Sequence, residues 1–330
     1  MPVILTWGEI QDRFTDSLLL GNGASMAVHA DFGYGSLFET ARLNGHITPQ
    51  VAEIFDQFGV NDFELVLRRL WQAKLVIQAL EIPPGRVDEA YAEVRNALIA
   101  TVRDAHVRYE DAEPHLAWIY PFMARFTTVA SLNYDLIVYW AAMMGNRDIG
   151  RHFKDGFING VFCEDWQELR QPYRGARGAT LFFYPHGNLA LTRTQDHGES
   201  KIGTQDNGRL LDAILQRWEQ GTAVPLFVCE GTSAHKKQSI EGSSYLQRVY
   251  REVISSIGPS LVIYGWSLSE QDQHIVNQLR RRPPQRVAVS VRGNDQAFAQ
   301  RAEEALLQAG IEEVVFFDSA SPGCWNNPTP

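Results

Sequence analysis

Short β-rich segments of the sequence are followed by glycines and polar residues of the kind that bind nucleotides. The first such group comes after the apolar run 17–20 and consists of Gly21, Asn22, Gly23, Ala24 and Ser25. Glycines at this spacing let a backbone approach a phosphate closely, and the start of a following helix offers free amides to it. Position 26 is Met rather than the glycine or alanine of the dinucleotide fingerprint, so an ordinary strand-to-helix turn explains the group almost as well.

Asn133 and Asp135 follow the β-rich run 127–132. The Asn133 amide can both donate and accept hydrogen bonds, which suits a ribose hydroxyl or a water molecule. Capping of the helix that starts here is the alternative role for both residues. For Asp135 this structural role explains the residue at least as well as a functional one.

His186 follows the β-rich segment 180–184 and precedes Gly187. Imidazole titrates at about pH 6.5, so it accepts a proton near neutral pH, and histidine is the most frequent general base. An isolated histidine is more often an ordinary polar residue. The position at the end of a predicted strand is what makes His186 a candidate base.

Two further groups follow the predicted strands 224–229 and 261–264. They are Gly231, Thr232 and Ser233 after the first run, and Gly265, Ser267 and Asp272 after the second. A tight turn with hydroxyls suits a ribose or a phosphate, and Ser267 could contact an adenosine. The alternatives are a Ser/Thr turn and a helix cap.

Strands that alternate with helices must position these residues. The predicted strands are 17–20, 127–132, 180–184, 224–229, 261–264, 286–291 and 313–317. Such alternation predicts an α/β fold with a parallel sheet that helices cover on both faces. In such sheets ligands bind outside the carboxyl ends of the strands, so we expect the polar groups to meet there.

The segment 47–126 differs in pattern from its surroundings. Its apolar residues recur at helical spacing, as at Phe63, Val66 and Leu70, which predicts an all-helical insertion. Residues 1–46 and 127–320 then form one nucleotide-binding domain, and 321–330 a loose tail. The insertion either provides a regulatory or oligomer surface or packs against the sheet.

Composition excludes several classes of protein. The 330 residues carry a net charge of −9, which argues against a nucleic-acid-binding surface. Cys163, Cys229 and Cys324 are too few and too scattered for a zinc ribbon or a disulfide framework, so we expect no metal. The first residues do not resemble a signal peptide, and no apolar run approaches the roughly 20 residues of a membrane span. We therefore expect a cytoplasmic location.

Taken in order, the segments GNGAS, SLNYD, PHG, GTS and YGWSLSEQD resemble the sirtuin-like NAD-binding family. The resemblance runs from Ser17 to about His274. It is specifically to bacterial sirtuin-like proteins without a zinc ribbon, some of which act in anti-phage defence. It implies a Rossmann-like parallel sheet with an inserted helical subdomain. Gly33 replaces the arginine that sirtuin deacylases carry after Asp31-Phe32, and Cys229 alone stands where they carry four zinc ligands.

The resemblance also implies roles for individual residues. Gly21, Gly23 and Ser25 would line the NAD phosphates, within a binding set that also includes Asn22, Ala24 and Asp31. Asn133 and Asp135 would belong to the ribose and nicotinamide end, and His186 would be the catalytic base. Gly231, Thr232 and Ser233 would contact the adenosine ribose, and Gly265, Ser267 and Asp272 complete the set.

The activity that the resemblance implies is hydrolysis of the nicotinamide–ribose bond of NAD. Such an NAD+ glycohydrolase would act as a triggered NAD-depleting effector in anti-phage defence. The first alternative is a non-catalytic sensor or assembly module that binds NAD or ADP-ribose, and the second is an NAD-dependent deacylase. Because destruction of NAD harms the cell, we expect control by a homo-oligomer or a regulatory protein partner. We expect no direct contact with nucleic acid or membrane.

Overall fold

The computed structural model describes residues 1–33, 36–176, 178–194, 198–204, 206–221, 223–228 and 230–329. Its strands are β1 (Ile4–Leu5), β2 (Ser17–Leu20), β3 (Thr128–Ser131), β4 (Phe153–Lys154), β5 (Phe157–Ile158), β6 (Val161–Phe162), β7 (Thr180–Phe183), β8 (Gly187–Thr194), β9 (Glu199–Lys201), β10 (Ala223–Phe227), β11 (Ser260–Tyr264), β12 (Arg286–Val291) and β13 (Glu313–Asp318).

The α-helices are α1 (Trp7–Ile10), α2 (Asn22–Met26), α3 (Leu37–Leu43), α4 (Pro49–Phe58), α5 (Phe63–Ala79), α6 (Gly85–Ala105), α7 (Tyr109–Met123), α8 (Ile137–Asp148), α9 (Leu210–Glu219), α10 (Ser233–Glu241), α11 (Ser244–Arg248), α12 (Gln273–Leu279) and α13 (Gln296–Gln308). No helix within the described ranges combines the length and the apolar character needed to cross a membrane.

Eight of the described strands form one parallel sheet in the order β1-β13-β12-β11-β2-β3-β7-β4. Without the two-residue edge strands β1 and β4, the six central strands are ordered β7-β3-β2-β11-β12-β13. Numbered along the chain from β2, this is 3-2-1-4-5-6, the order of the doubly wound Rossmann fold. The predicted α/β fold with a Rossmann-like parallel sheet is therefore confirmed.

The central strands are apolar because both of their faces are covered. In β2, Leu18 and Leu20 contribute to one hydrophobic cluster and Leu19 to another, and all three are fully buried. Successive side chains of a strand point to opposite faces, so the two clusters are the two sides of the sheet. A strand buried in this way reads as a continuous apolar run, which is why the sequence reveals it.

One predicted strand belongs to a different sheet. β10 pairs with β8 in an antiparallel sheet of order β10-β8-β9-β6-β5, so the expectation that 224–229 joins the parallel sheet is wrong. Gly187, with φ +78°, starts β8, and a Cβ there would lie 2.2 Å from the Leu226 carbonyl oxygen. The antiparallel pair is thus in close backbone contact from its first residue. Cys229 lies outside the described residues.

The segment between β2 and β3 contains the predicted helices. Helices α4 to α7 occupy 49–123, and Asp62 caps α5 by accepting from the amides of Glu64 and Leu65. Buried side chains of these helices, such as Leu67, Val94 and Leu98, share a hydrophobic cluster with Leu18 of β2. The helical block therefore packs on the sheet. Its role as a regulatory or oligomer surface, like the domain boundaries, stays a prediction.

The final segment is packed rather than loose. Cys324 and Trp325 are buried, and the Trp325 indole Nε1 donates to the Ala24 carbonyl oxygen at 2.8 Å. Asn326 Nδ2 donates to the Ala27 carbonyl oxygen at 2.7 Å. These contacts hold 324–327 against α2, so the expectation of a loose tail is wrong for these residues. A short segment rich in Pro and Asn gave no sign of this tertiary contact.

We expect Trp325→Ala to lower the free energy of unfolding by about 3–5 kcal/mol, because it removes a buried indole and leaves a cavity. Trp118→Ala is the matched control, since Trp118 of α7 is 48% exposed. Chemical denaturation of both variants measures the difference. An equal, small loss in both would show that the final segment does not contribute to stability.

Candidate functional site

A cavity of about 770 Å³ lies at the carboxyl edge of the parallel sheet. Its lining comes from the segments after β2, β3, β7, β11, β12 and β13, together with Val228 and Glu230 after β10. Strand order reverses between β2 and β11, and ligands of doubly wound sheets bind at such a point. The volume is within the usual range for small-molecule sites.

The structure brings most of the predicted site residues to this cavity. Those that line it are Gly21, Asn22, Gly23, Asn133, Asp135, His186, Gly265, Ser267 and Asp272. Those outside the lining are Ala24, Ser25, Asp31, Gly231, Thr232 and Ser233.

The predicted site residues that do not line the cavity are kept from it by different contacts. Ala24 and Ser25 are buried in α2, and the Asp31 side chain is 72% exposed beside His29. Gly231–Ser233 follow β10, which does not belong to the parallel sheet, and Thr232 caps α10 by accepting from the His235 amide. The expected contact of this segment with an adenosine ribose has no support from its position.

The two glycines of the first turn make a close backbone contact with the loop after β11. Gly21 N donates to the Tyr264 carbonyl oxygen at 3.0 Å, and Gly23 N donates to the Gly265 carbonyl oxygen at 2.7 Å. A Cβ at Gly21 would lie 2.5 Å from Trp266 Cα, and one at Gly23 2.8 Å from Gly265 Cα. The glycines are therefore explained by packing, and their amides are not free for a phosphate as we expected from the sequence.

Asn133 and Asp135 are joined in a buried network with Ser25. Asn133 Nδ2 donates to the Gly21 carbonyl oxygen at 3.0 Å and to Ser25 Oγ at 2.8 Å, and Ser25 Oγ donates to Asp135 Oδ2 at 2.5 Å. The Ile137 amide donates to Asp135 Oδ1, so Asp135 also holds the start of α8. In the described part of the chain no group donates to Asn133 Oδ1, which leaves this oxygen for a ligand.

Burial raises the pKa of the Asp135 carboxyl, against the hydrogen bonds from Ser25 and Ile137 that lower it. The contacts thus directly support the structural role of Asp135, which is to hold the start of α8.

His186 is buried beside a second histidine that the sequence reading did not include in the site. His186 Nε2 lies 2.9 Å from His274 Nε2, and His274 Nδ1 lies 3.2 Å from Ser233 Oγ. Ser233 Oγ also accepts from the His274 backbone amide at 2.9 Å, and its hydroxyl can still donate to His274 Nδ1. His274 lies at the start of α12, where no strand end marks it.

One arrangement of protons satisfies this chain of contacts. Ser233 donates to His274 Nδ1, His274 Nε2–H donates to His186 Nε2, and His186 Nδ1–H donates to the Leu132 backbone. Burial, followed by the Lys236 charge, lowers the pKa of His186 to about 3, and burial lowers that of His274 to about 4. Both rings are neutral at pH 7. The His186 Nε2 lone pair is thus occupied by His274 in this arrangement.

A largely buried ion pair adjoins the two histidines. Lys236 Nζ donates to Asp272 Oδ1 at 2.8 Å, and the Trp266 indole donates to Asp272 Oδ2 at 3.0 Å. Both partners of the ion pair line the cavity. Lys236 was not predicted from the sequence because it lies on α10, away from any strand of the parallel sheet.

His186, Asp272 and His274 place one potential metal-ligand atom each within 4.8 Å of one another. Two histidines and a carboxylate are a frequent metal-ligand set. However, Lys236 and Trp266 already occupy both oxygens of Asp272, and an ammonium group beside the cluster would repel a divalent cation. The contacts therefore favour an ion pair here, and the expectation of no metal stays a prediction.

Three lining residues outside the predicted site lie at the ends of predicted strands. Ser290 lies near the end of β12, Arg292 directly follows β12, and Ser319 follows β13. Like Asn133, they are polar residues at the carboxyl end of an apolar run. By contrast, Asn326 and Asn327 reach the cavity through the tertiary packing of the final segment.

Comparison with known proteins gives the family of the chain. The model of a domain of unknown function (DUF4917) matches residues 18–325, which is almost the whole length. The chain belongs to the DUF4917 family. No curated protein matches it. The family description assigns no activity to DUF4917 and shows no link to sirtuins, so that resemblance stays a prediction.

We expect acid to destabilise the protein through the buried histidines. In the unfolded chain histidine binds a proton at about pH 6.5, whereas folded His186 and His274 stay neutral down to about pH 3 and 4. Their contribution is therefore intact above pH 6.5 and is lost as pH falls, by up to about 1.4 kcal/mol per pH unit for each ring. Urea titrations between pH 6.5 and 4.5 should give a flatter pH dependence for His186→Gln/His274→Gln than for wild type. Equal slopes would refute this origin.

Lys236→Met should destabilise the fold by about 3 kcal/mol, because it leaves the charged and largely buried Asp272 carboxylate without its ammonium partner. The double variant Lys236→Met/Asp272→Asn should lose less than the single one. Lys237→Met is the matched control on the same helix, since its side chain is 53% exposed, and it should stay within about 0.5 kcal/mol of wild type. Denaturant unfolding measures all three, and equal losses for Lys236 and Lys237 would contradict a structural ion pair.

Proposed function

We propose that the chain binds NAD in the cavity between β2 and β11 and hydrolyses its nicotinamide–ribose bond. The observation that carries the proposal is a cavity at the switch point of a 3-2-1-4-5-6 sheet, with Asn133 and His186 in its lining. This is the position at which such sheets bind dinucleotides. The choice of NAD as the ligand and of the nicotinamide–ribose bond as the bond cleaved rests on the motifs that resemble sirtuin-like proteins.

The reaction requires little acid catalysis. In NAD the nicotinamide ring carries a positive charge on its nitrogen. Nicotinamide leaves as a neutral molecule, because the electron pair of the C1′–N bond stays with that nitrogen. A water then forms the new C1′–O bond and loses a proton, giving ADP-ribose. The protein must stabilise the positive charge that develops on the ribose and position the water.

The residues of the cavity suit these two tasks. The Asn133 carboxamide oxygen can accept a hydrogen bond from the water or from a ribose hydroxyl. His186 is neutral, but its pKa of about 3 makes it a weak base at pH 7, so it can take the proton only when a ligand that replaces His274 at Nε2 also raises this pKa. The lining carries the carboxyl groups of Asp135, Glu230, Asp272 and Asp295, and those that are ionised favour a cationic ribose.

One observation favours a second function, a sensor that binds NAD or ADP-ribose without cleaving it. His274 occupies the Nε2 atom of His186, so the candidate base is not free in this arrangement. If the ligand leaves that contact intact, the cavity binds without turnover. Triggered action in anti-phage defence, with control by an oligomer or partner, remains part of the proposal for the hydrolase.

Calorimetry with NAD and measurement of released nicotinamide separate these functions. We expect His186→Ala to lower the rate of nicotinamide release by about 10²- to 10⁴-fold, while NAD affinity stays within about threefold, because general base catalysis contributes about this factor. His46→Ala is the control, since His46 contacts Asp104 in the helical block and lies outside the cavity.

Binding by the wild type with no nicotinamide release would favour the sensor. Wild-type turnover that His186→Ala leaves unchanged would remove His186 from the mechanism. Absence of binding of both NAD and ADP-ribose would contradict both functions.

A further inference from the structure

The cavity is lined by more acidic than basic groups, although the proposed ligand is an anion. The carboxyl groups are those of Asp135, Glu230, Asp272 and Asp295, and the cationic groups in the described lining are Lys236 and Arg292. Lys236 is taken by its ion pair with Asp272. A dinucleotide pyrophosphate that entered this surface would meet net repulsion unless a cation compensates for it.

The glycine turn does not supply the missing compensation. The Gly21 and Gly23 amides, which the sequence assigned to the phosphates, donate to the carbonyl oxygens of Tyr264 and Gly265. A phosphate in the cavity therefore needs a different donor.

Arg292 is the lining cation that remains without a partner. It directly follows β12 and is exposed. Its guanidinium makes no ion pair or hydrogen bond with any residue in the described ranges. Asp295, on the same loop, directs its Oδ1 to the Phe298 amide at 2.9 Å, where it caps α13. The neighbouring carboxylate is thus engaged with the helix rather than with Arg292.

We propose that Arg292 binds a phosphate group of the dinucleotide, an inference that rests on the proposed function. A guanidinium presents a planar set of donors that fits two phosphate oxygens at once. With adjacent strands about 4.8 Å apart, β12 lies about 10 Å from β2 and roughly 19 Å from β7. Arg292 and His186 thus follow strands that are four positions apart in the sheet.

Two phosphates of a dinucleotide have the required chemistry. One is the pyrophosphate that NAD and ADP-ribose share, and the other is the 2′-phosphate that NADP carries on its adenosine ribose. Binding measurements with adenosine, AMP, ADP-ribose, NAD and NADP separate the two sources, because these ligands differ in the number and place of their phosphates.

The test compares Arg292→Gln and Arg292→Lys with Arg280→Gln by calorimetry on the full chain. Arg280 is the matched control because it is exposed at the end of α12 and does not line the cavity. We expect Arg292→Gln to weaken binding of phosphate-bearing ligands by about 10- to 100-fold and to leave adenosine binding unchanged. Arg292→Lys should bind these ligands more tightly than Arg292→Gln and less tightly than wild type, since it keeps the charge and loses the planar set of donors. Arg280→Gln should bind every ligand like wild type.

The pattern of loss identifies the phosphate. Equal losses for ADP-ribose, NAD and NADP place Arg292 at the pyrophosphate, and a loss confined to NADP places it at the 2′-phosphate; both results support the inference. Wild-type affinity of Arg292→Gln for all phosphate-bearing ligands, in a protein that does bind NAD, overturns the inference and leaves the proposed function standing. If wild type binds none of the five ligands, the proposed function fails, and the inference fails with it.

Discussion

The close approach of two backbone segments determines the geometry of the site. The turn after β2 and the loop after β11 are joined by two amide–carbonyl hydrogen bonds, and the separations leave no room for a Cβ at Gly21, Gly23 or Gly265. The two strands lie on either side of the point where the sheet order reverses. Their connection contributes Gly21, Gly23 and Gly265 to the cavity lining.

Other polar groups form hydrogen bonds with these two segments and therefore have a structural role. Asn133 donates to the Gly21 carbonyl oxygen, and Ser290 Oγ accepts from the Gly265 amide. Buried polar groups must be paired, so each such contact uses a donor or acceptor that a ligand would otherwise employ. Two lining groups make no side-chain hydrogen bond or ion pair of this kind within the described residues, the Asn133 carboxamide oxygen and the Arg292 guanidinium.

The sequence predicts the strands of the parallel sheet well, for a physical reason. A strand covered on both faces is a continuous apolar run, and the residue types that follow it then mark the carboxyl edge. The pairing of strands is a tertiary property, so β10 looked like a member of the same sheet although its partner is β8. The use of the glycine amides, and the contact of His186 with His274, likewise depend on which loops meet, which no local pattern reveals. Arg292, by contrast, was visible at the end of a predicted strand.

The packed final segment has a consequence for how the site comes into existence. Asn326 and Asn327 form part of the cavity wall, and Trp325 anchors them to the carbonyl oxygen of Ala24. The cavity thus joins residues that are separated by about 300 positions in the chain. A ribosome adds residues in order, at about 5–20 per second, so many seconds pass between synthesis of the glycine turn and synthesis of Asn326 and Asn327. Because Asn326 and Asn327 belong to the lining, a nascent chain that lacks residues 325–327 cannot form the complete cavity.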